Sequence, residues 1–408
     1  MQLDGQTIGA VSAAVVDEDE LPGPVQGVEH RRQLLDESRQ DLLLVVQRDD
    51  DRVPGCRLLH DSGGYAEARL SRRAGPWAPL PSHAMTAVLF TCAGQRVDIV
   101  RAFGRAGATT IASDLDRLAP ALYHADHMAL VPRVTEPGYL PALAALVAEY
   151  DVKLVVPVTD IDQSILARDR ERLEPALLLA PPFEVCATMA DKYVAHLFFE
   201  GHGIASPRTW LPDEVAADAR YPLLVKIREG FGSRHIYRAA DAAELDFFLR
   251  HTPVESMVQE LCVGEEFSID VFCDLEGRCL NAIARTMIQS KGGESIKGTS
   301  ILDRELIEHA RRVAEAVGIV GPACVQCFRE PDGSLPVTDV NPRFGGAFPL
   351  PLAAGGRYPE LALALANGER PEPRLGDYRA GVTMTRYLAQ VCLVENGDGA
   401  PVVLEQQA

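Results

Sequence analysis

The chain has no surplus of basic residues. Its 40 Lys and Arg stand against 58 Asp and Glu, a formal charge of −18. A nucleic-acid partner would want a basic face, so none is expected. Small anionic ligands are not excluded, because a few local Arg and Lys can still build a positive site. No apolar run approaches the roughly 20 residues needed to cross a bilayer, so no membrane partner is expected either. Met1 to Ala10 has neither a basic start nor an apolar core, and no signal peptide is expected. The nine cysteines are scattered and odd in number, which points to reduced thiols and a cytoplasmic home. Cys324-Val325-Gln326-Cys327 is formally a CxxC. No second ligand pair with zinc spacing follows it, so it reads as strand residues. Internal repeats and low-complexity tracts are lacking too. What is present is ordinary: 47% hydrophobic and 24% charged residues over 408 positions, enough for two or three globular domains.

Residues 1–84 carry the least signal. Ile8 to Val16 and Asp41 to Gln47 read as strands and Arg31 to Arg39 as a short helix. Asp17 to Glu20 and Asp49 to Asp51 are acidic runs of the kind found in solvated loops. Ala74 to Pro81, rich in Pro and Gly, reads as a linker. The expectation is an appended N-terminal segment or small α+β domain.

From Thr86 the texture changes. Ala87 to Thr91 reads as a buried strand, Val97 to Ala106 as a helix, and Thr109 to Ala112 as a second strand ending at Ser113-Asp114. Leu154 to Val158 is a further strand ending at Thr159-Asp160. Helical patterns at Leu140 to Tyr150 and Ser164 to Leu173 fill the gaps. Such alternation predicts a parallel α/β sheet, whose ligands sit off the carboxyl ends of the strands. Thr91, Gln95, Arg96, Asp114, Thr159 and Asp160 are therefore candidate substrate contacts. A strand, a turn, a helix and Asp114 also resemble a dinucleotide-binding unit. That fingerprint needs three glycines, and the turn offers only Gly94.

Further on, Asp191 is placed to cap a helix carrying Lys192, Tyr193, His196 and Leu197. A solvated lysine at a helix start is the plain reading of Lys192. Tyr221 to Ile227 is a strand with one charge, Lys226, in an apolar run, and such a lysine is costly unless it pairs or reaches a ligand. The glycine-rich turn Gly230-Phe231-Gly232-Ser233 follows at once. A strand lysine beside such a turn suits phosphate binding, with backbone N–H groups and the ammonium sharing the oxyanions. Asp241 to Arg250 reads as a helix. Met257 to Leu261 is a strand ending at a bend. Beyond it Glu266, Ser268 and Asp270 alternate with Phe267, Ile269 and Val271. Leu280 to Met287 is a partner strand carrying Arg285, for which a cross-strand salt bridge is one reading. The glycine-containing run Lys291 to Thr299 follows, then an amphipathic helix at Ile301 to Val317.

The densest stretch is Ala323 to Leu350. Ala323 to Arg329 and Leu335 to Val340 each alternate at the strand period, and Pro331-Asp332-Gly333-Ser334 between them is turn chemistry. This hairpin brings Gln326, Asp339 and Asn341 together at its open end. A carboxylate and an amide two residues apart on a strand share a face. The pair suits Mg²⁺, which takes few protein ligands and leaves room for phosphate oxygens. Arg343 adds a planar cation suited to a carboxylate or phosphoryl group. Gly345 and Gly346 let backbone approach a ligand closely. Pro359 to Asn367 reads as a further helix, and Arg379 to Cys392 as closing strands, with Arg386 a candidate extra contact.

Gln326, Asp339 and the tripeptide Asn341-Pro342-Arg343 resemble the metal-binding hairpin of the ATP-grasp superfamily. They are most similar to its carbamoyl-phosphate-synthase-like carboxylate–amine ligases, a group that includes the pyrrolysine-pathway ligase. Many members have Glu where this chain has Asp339. The Asp191-Lys192 start, Lys226 with its glycine-rich turn, and the Gln259 to Glu266 stretch occur in the family's order. The resemblance covers about three-quarters of the chain, from Met85 onward.

It implies an α/β fold: a Rossmann-like pre-ATP-grasp domain (85–182), then the two α+β subdomains of an ATP-grasp fold (183–256 and 257–408), behind the extra segment 1–84. It also implies ATP and Mg²⁺ as cofactors. Lys192, Lys226, Gly230, Phe231, Gly232 and Ser233 would lie at the phosphates. Gln259, Glu260, Leu261 and Cys262 would form the adenine hinge, and Glu266, or alternatively Glu265, would hold the ribose. Lys226, Arg285 and Arg343 would serve catalysis, Gln326, Asp339 and Asn341 the metal, and Arg343, Gly345 and Gly346 the substrate as well. The implied reaction phosphorylates a carboxylate, and an amine then attacks the acyl phosphate. Small-molecule acids and amines, usually amino acids, are the implied partners, with a second copy of the chain as a further candidate. An ATP-binding regulatory protein without turnover and a carboxylase acting through carboxyphosphate are the alternatives.

Overall fold

Ala87–Thr91 (β1) is buried at all five positions, as expected of a central strand covered on both faces. The computed structural model to which it belongs describes residues 86–230, 235–291, 294–395 and 401–404. The expectations for residues 1–84, and those for Phe231, Gly232 and Ser233, lie outside the described residues. Helix α1 (Val97–Arg105), β2 (Thr109–Asp114), β3 (His127–Leu130), α2 (Tyr139–Glu149), β4 (Leu154–Pro157), α3 (Asp160–Arg168) and β5 (Leu177–Leu178) follow. The five strands form one parallel sheet in the order β3-β2-β1-β4-β5. The two edge strands were not foreseen. β5 is two residues long, and three of the four β3 residues are exposed, so neither carries an apolar run. Helix α3 opens at Asp160, four residues earlier than expected, because the Thr159 hydroxyl accepts from Ile161 N at 3.4 Å and caps it. It ends at Arg168, and Arg170–Leu173 continues as a separate 3₁₀ turn.

Helices α4 (Phe183–Ala190) and α5 (Lys192–Gly201) meet at Asp191, whose carboxylate accepts from the backbone of Tyr193 and Val194. A four-stranded antiparallel sheet follows, built from β6 (Thr209–Trp210), β7 (Leu223–Ile227), β8 (Tyr237–Ala239) and β9 (Ser256–Glu260), in the order β6-β9-β7-β8. Helix α6 (Ala242–His251), capped by Asp241, covers it. Leu223, Val225, Ala239, Leu245 and Val258 give this subdomain a small core of its own.

The next sheet holds β10 (Glu265–Cys273), β11 (Cys279–Thr286), β14 (Gly321–Arg329) and β15 (Val337–Asn341), in the order β11-β10-β14-β15. Between them run β12 (Gln289–Lys291), β13 (Glu294–Thr299) and helix α7 (Arg304–Val317). Helix α7 starts at Arg304, later than the apolar pattern suggests, because Asp303 caps it through Glu305 N and Leu306 N. Its apolar stripe packs on β10, β11 and β14. Of the expected closing strands over Arg379 to Cys392, β16 (Thr383–Thr385) pairs with β13. Short helix α8 (Pro349–Ala354), unforeseen, precedes α9 (Tyr358–Ala366). Phe90, Phe103, Phe344, Phe348 and Tyr358 pack ring against ring and join the parallel sheet to the C-terminal subdomain in one core. All eight described cysteines are free thiols. Cys324 and Cys327 point to opposite sides of β14, as strand residues three apart must. No described helix is long and apolar enough to cross a membrane.

Candidate active site

A single row of side chains crosses the large antiparallel sheet. Arg285 on β11 faces Ser268 on β10, Ser268 faces Gln326 on β14, and Gln326 faces Asp339 on β15. Direct cross-strand partners share a face, so alternation within each strand and register between strands bring these four together. The next row adds Asp270, Cys324 and Asn341. Asn341 Nδ2 donates to Asp339 Oδ2 at 3.1 Å, and Gln326 Nε2 lies 3.5 Å from Glu266 Oε1. Arg285 Nε donates to Asp270 Oδ2 at 2.7 Å. The salt-bridge reading of Arg285 is therefore correct, yet Arg285 also lines the cavity, and its buried Nη1 has no hydrogen-bond partner among the described residues.

Opposite this floor stands Lys226 on β7, whose Nζ donates to Gln259 Oε1 at 2.7 Å. Burial pushes its ammonium below the ordinary lysine range, against the pull of the Asp339 carboxylate. Glu266 is pushed up by burial, against Lys226 and Arg285. Lys192 Nζ reaches the carbonyl of Gly230 at 2.8 Å, so the first helical lysine holds the start of the glycine-rich turn. Asp191, besides capping α5, takes the guanidinium of Arg228 at the end of β7.

These groups enclose a cavity of about 760 Å³, within the size range of small-molecule sites. Lys192, Lys226, Gly230, Gln259, Glu260, Leu261, Cys262, Glu266, Arg285, Gln326, Asp339, Asn341, Arg343, Gly345 and Gly346 all line it, as do Gln95, Arg96, Thr159 and Asp160. Of the two candidate glutamates, Glu266 lines the cavity and Glu265 is exposed outside it.

Three expectations are corrected. Thr91 is fully buried within β1 and does not reach the cavity. Asp114 spends Oδ2 on Gly94 N and Oδ1 on Asp116 N, both at 2.8 Å, and so braces the turn after β1 instead of meeting a ligand. Arg386 is not a lining residue; its backbone N–H pairs with Ile296 O at 3.0 Å. Two further cations line the cavity but are already engaged. Arg96 donates to Phe344 O and Gly345 O, and Arg343 donates Nε and Nη2 to Asp160 at 3.0 Å. Gln163, not anticipated, is buried and donates to Pro342 O. The parallel sheet thus grips the Pro342–Gly345 turn with three side chains from the carboxyl ends of its strands. Ser295 was also missed. It is 4% exposed, lines the cavity and has a hydroxyl with no hydrogen-bond partner among the described residues. Its only signal was its place two residues past a glycine pair.

Two family models match the chain. The PylC-like N-terminal domain matches residues 88–197, and an ATP-grasp family described as acting in the biosynthetic pathway with the Ter operon matches residues 252–388. This chain is an ATP-grasp protein. The first range takes in nearly all of the parallel sheet, α4 and the first part of α5, and the second takes in the row from Arg285 to Asp339. Solved structures share the ATP-grasp fold at low identity. The L-amino acid ligase of Bacillus licheniformis aligns with TM-score 0.58 and 19% identity, over 73% of this chain and 78% of that one. The biotin carboxylase domain of the Hydrogenobacter thermophilus 2-oxoglutarate carboxylase, in complex with MgADP and bicarbonate, aligns with TM-score 0.58 and 18% identity over 74% of each chain. Rhizobium etli pyruvate carboxylase gives 0.59 and 15% over 74% of this chain; the ATP-grasp protein spans 30% of that enzyme's length. No curated protein matches it in sequence.

Among the described residues no three His, Cys, Asp or Glu side chains converge as a metal centre. One carboxylate with two amides is a donor set for a hard cation that shares its shell with phosphate oxygens. Arg285 Nη1 and the Ser295 hydroxyl, buried polar groups lining the cavity with no partner among the described residues, suit the phosphate oxygens of the same occupant.

Proposed function

We propose that this ATP-grasp protein is an ADP-forming carboxylate–amine ligase that joins two amino-acid-like substrates through an acyl phosphate. The observation that carries the reading is the row Arg285–Ser268–Gln326–Asp339, facing Lys226 across the cavity. In this reading Gln259, Glu260, Leu261 and Cys262 hold the adenine and Glu266 the ribose. Lys192, Lys226 and the turn from Gly230 to Ser233 hold the phosphates. Asp339, Asn341 and Gln326 would hold Mg²⁺, which supplies charge neutralisation between the phosphates. Lys226 and Arg285 stabilise charge that grows on the transferring phosphoryl group, the main service such transfers need from a protein. No nucleophilic side chain is required. Consistently, burial pushes the thiols of Cys262 and Cys324, both lining the cavity, up to about 12, far from a reactive thiolate. The intact metal-binding set argues against a regulatory protein without turnover.

The test is product analysis. With Mg·ATP and pooled amino acids, ADP and phosphate should form, and hydroxylamine should trap the acyl phosphate as a hydroxamate. AMP and pyrophosphate would overturn the mechanism. Carboxylation through carboxyphosphate is the second reading, favoured by the fold shared with the two carboxylases. It requires ADP release with bicarbonate and no amino acid.

A further inference from the structure

At the cavity end built by the parallel sheet, the cations are committed. Arg96 gives Nη1 to Phe344 O at 3.2 Å and Nη2 to Gly345 O at 3.1 Å, and its Nε lies 3.1 Å from Asp98 Oδ1. Arg343 gives Nε and Nη2 to Asp160, Nη2 also to Asn341 Oδ1 at 3.2 Å, and Nη1 to Phe344 O at 3.1 Å. The parallel N–H pair with which a guanidinium takes a carboxylate is therefore filled. Among the described residues, a substrate carboxylate finds no free fork on this wall.

The acceptors are not used up. A carboxylate has about four lone-pair sites. Asp160 Oδ1 takes one N–H, from Arg343 Nε, and the same N–H is shared with Oδ2. The Asp160 side chain is 32% exposed and lines the cavity beside Thr159 and Gln95. Asp160 is the first residue of α3, which Thr159 caps at the strand-to-helix turn after β4. A wall with engaged cations, an open carboxylate oxygen and an adjacent hydroxyl suits a cationic nitrogen.

We propose that Asp160, with Thr159 beside it, forms the receptor for a primary ammonium group carried by one of the two substrates. The inference rests on the ligase reading and adds which wall reads the amine. A hydrogen-bonded chain runs from Asp160 through Arg343 and Asn341 to Asp339. It links the ammonium site to the candidate metal ligands, where the carboxylate is activated. The ammonium belongs either to the acid being activated, as in an α-amino acid, or to the attacking amine. On the acid it stays protonated; on the attacking amine it first passes one proton to the Asp160 carboxylate, which frees the nitrogen lone pair to displace phosphate from the acyl phosphate.

The experiment uses the full chain with Mg·ATP, comparing wild type with Asp160→Asn and Asp160→Glu. The amino acid that drives ADP release from a screened pool is set against the carboxylate of the same skeleton lacking the amino group. Each is assayed with hydroxylamine alone and with an amino acid as acceptor. Asp160→Asn should raise KM for the ammonium-bearing substrate about 10- to 100-fold, the worth of a hydrogen bond to a charged group. The preference for the ammonium-bearing acid over the amino-free acid, read as the ratio of their kcat/KM values, should fall by the same factor, and Asp160→Glu should recover part of it. A KM shift already seen in the hydroxamate assay places the ammonium on the activated acid; a shift confined to amide formation places it on the attacking amine. An Asp160→Asn protein that melts like wild type and keeps every KM would overturn the proposal. So would an equal fall in kcat for both acids, the sign that Arg343 merely lost its anchor. Wild-type ADP release with bicarbonate alone would overturn the ligase reading and this site with it, a result separate from the other two.

Discussion

Arg285 and Asp270 form an ion pair in the floor of the cavity, Nε to Oδ2 at 2.7 Å, with each side chain 3% exposed. Removing one partner of such a pair strands the other as a buried charge. Asp270→Ala should therefore destabilise the protein by about 3–5 kcal/mol, whereas replacing both residues by apolar ones of similar size should cost much less. Denaturant unfolding of the single and double variants checks this. A double variant no more stable than Asp270→Ala would contradict it. Turnover should be lost in the double variant, where the phosphates lose Arg285, and depressed in Asp270→Ala, where Arg285 remains but loses the carboxylate that orients it.

Asp339→Asn should fold normally and lose most Mg²⁺-dependent turnover. It removes the one carboxylate of the proposed metal set and keeps the shape. The measurement is ADP release across a Mg²⁺ titration beside a melting curve. Unchanged kinetics with a normal melt would remove Asp339 from the metal site.

Lys226→Ala should abolish ADP and hydroxamate together, a loss on the order of 10²-fold or more for a fixed charge in a water-poor site. Loss of hydroxamate with ADP release retained would show that Lys226 acts after phosphoryl transfer.

Gly345 lies where a Cβ would meet Asp270 Oδ1 at 2.7 Å and Cys324 Cβ at 3.3 Å. Asp270 cannot retreat, because Arg285 holds it. Gly345→Ala should therefore cost about 1–3 kcal/mol, as overpacking does, and depress turnover. Equal stability and activity would mean that the turn shifts freely, contrary to its three anchors Arg96, Asp160 and Gln163.

Asp162 is fully buried beneath the turn after β4, with Tyr139 Oη donating to its Oδ2 at 2.6 Å. Burial raises its carboxyl above the ordinary value, and hydrogen bonds from neighbouring side chains offset this in part. A folded-state value above the unfolded one means that the unfolded chain releases this proton first as pH rises. Stability is then lost through the window that opens near the ordinary carboxylate range of about 4 and extends upward. Asp162→Asn, which cannot ionise, should remove that slope. Melting temperatures of the two proteins from pH 4 to 8 should diverge in favour of the variant as pH rises; parallel curves would refute the assignment.

Much of the site is legible in the sequence because its signals are local. The apolar run of β1, the Asp191 cap before Lys192, the lone charge in Leu223–Ile227 and the alternation of Gln326, Asp339 and Asn341 each depend on residues within a few positions of one another. The period of a strand or helix decides which way they face. The edge strand His127–Leu130 was invisible for the same reason: without a buried face it has no alternation to read.

What the sequence determined by itself is the kind of site: a strand lysine before a glycine-rich turn and an acid–amide hairpin ending in Arg343, on an α/β frame. What only the tertiary structure decided is which charges are free. Arg343 meets Asp160, 183 positions earlier, and Arg96 meets Gly345, 249 positions later. Asp114 turns back on Gly94, and Arg285 is divided between Asp270 and the cavity. A charged side chain carries the same formal charge wherever it stands. Its partner is set by burial and distance in three dimensions, and both come from packing the parallel sheet against the hairpin, which no short window of sequence contains.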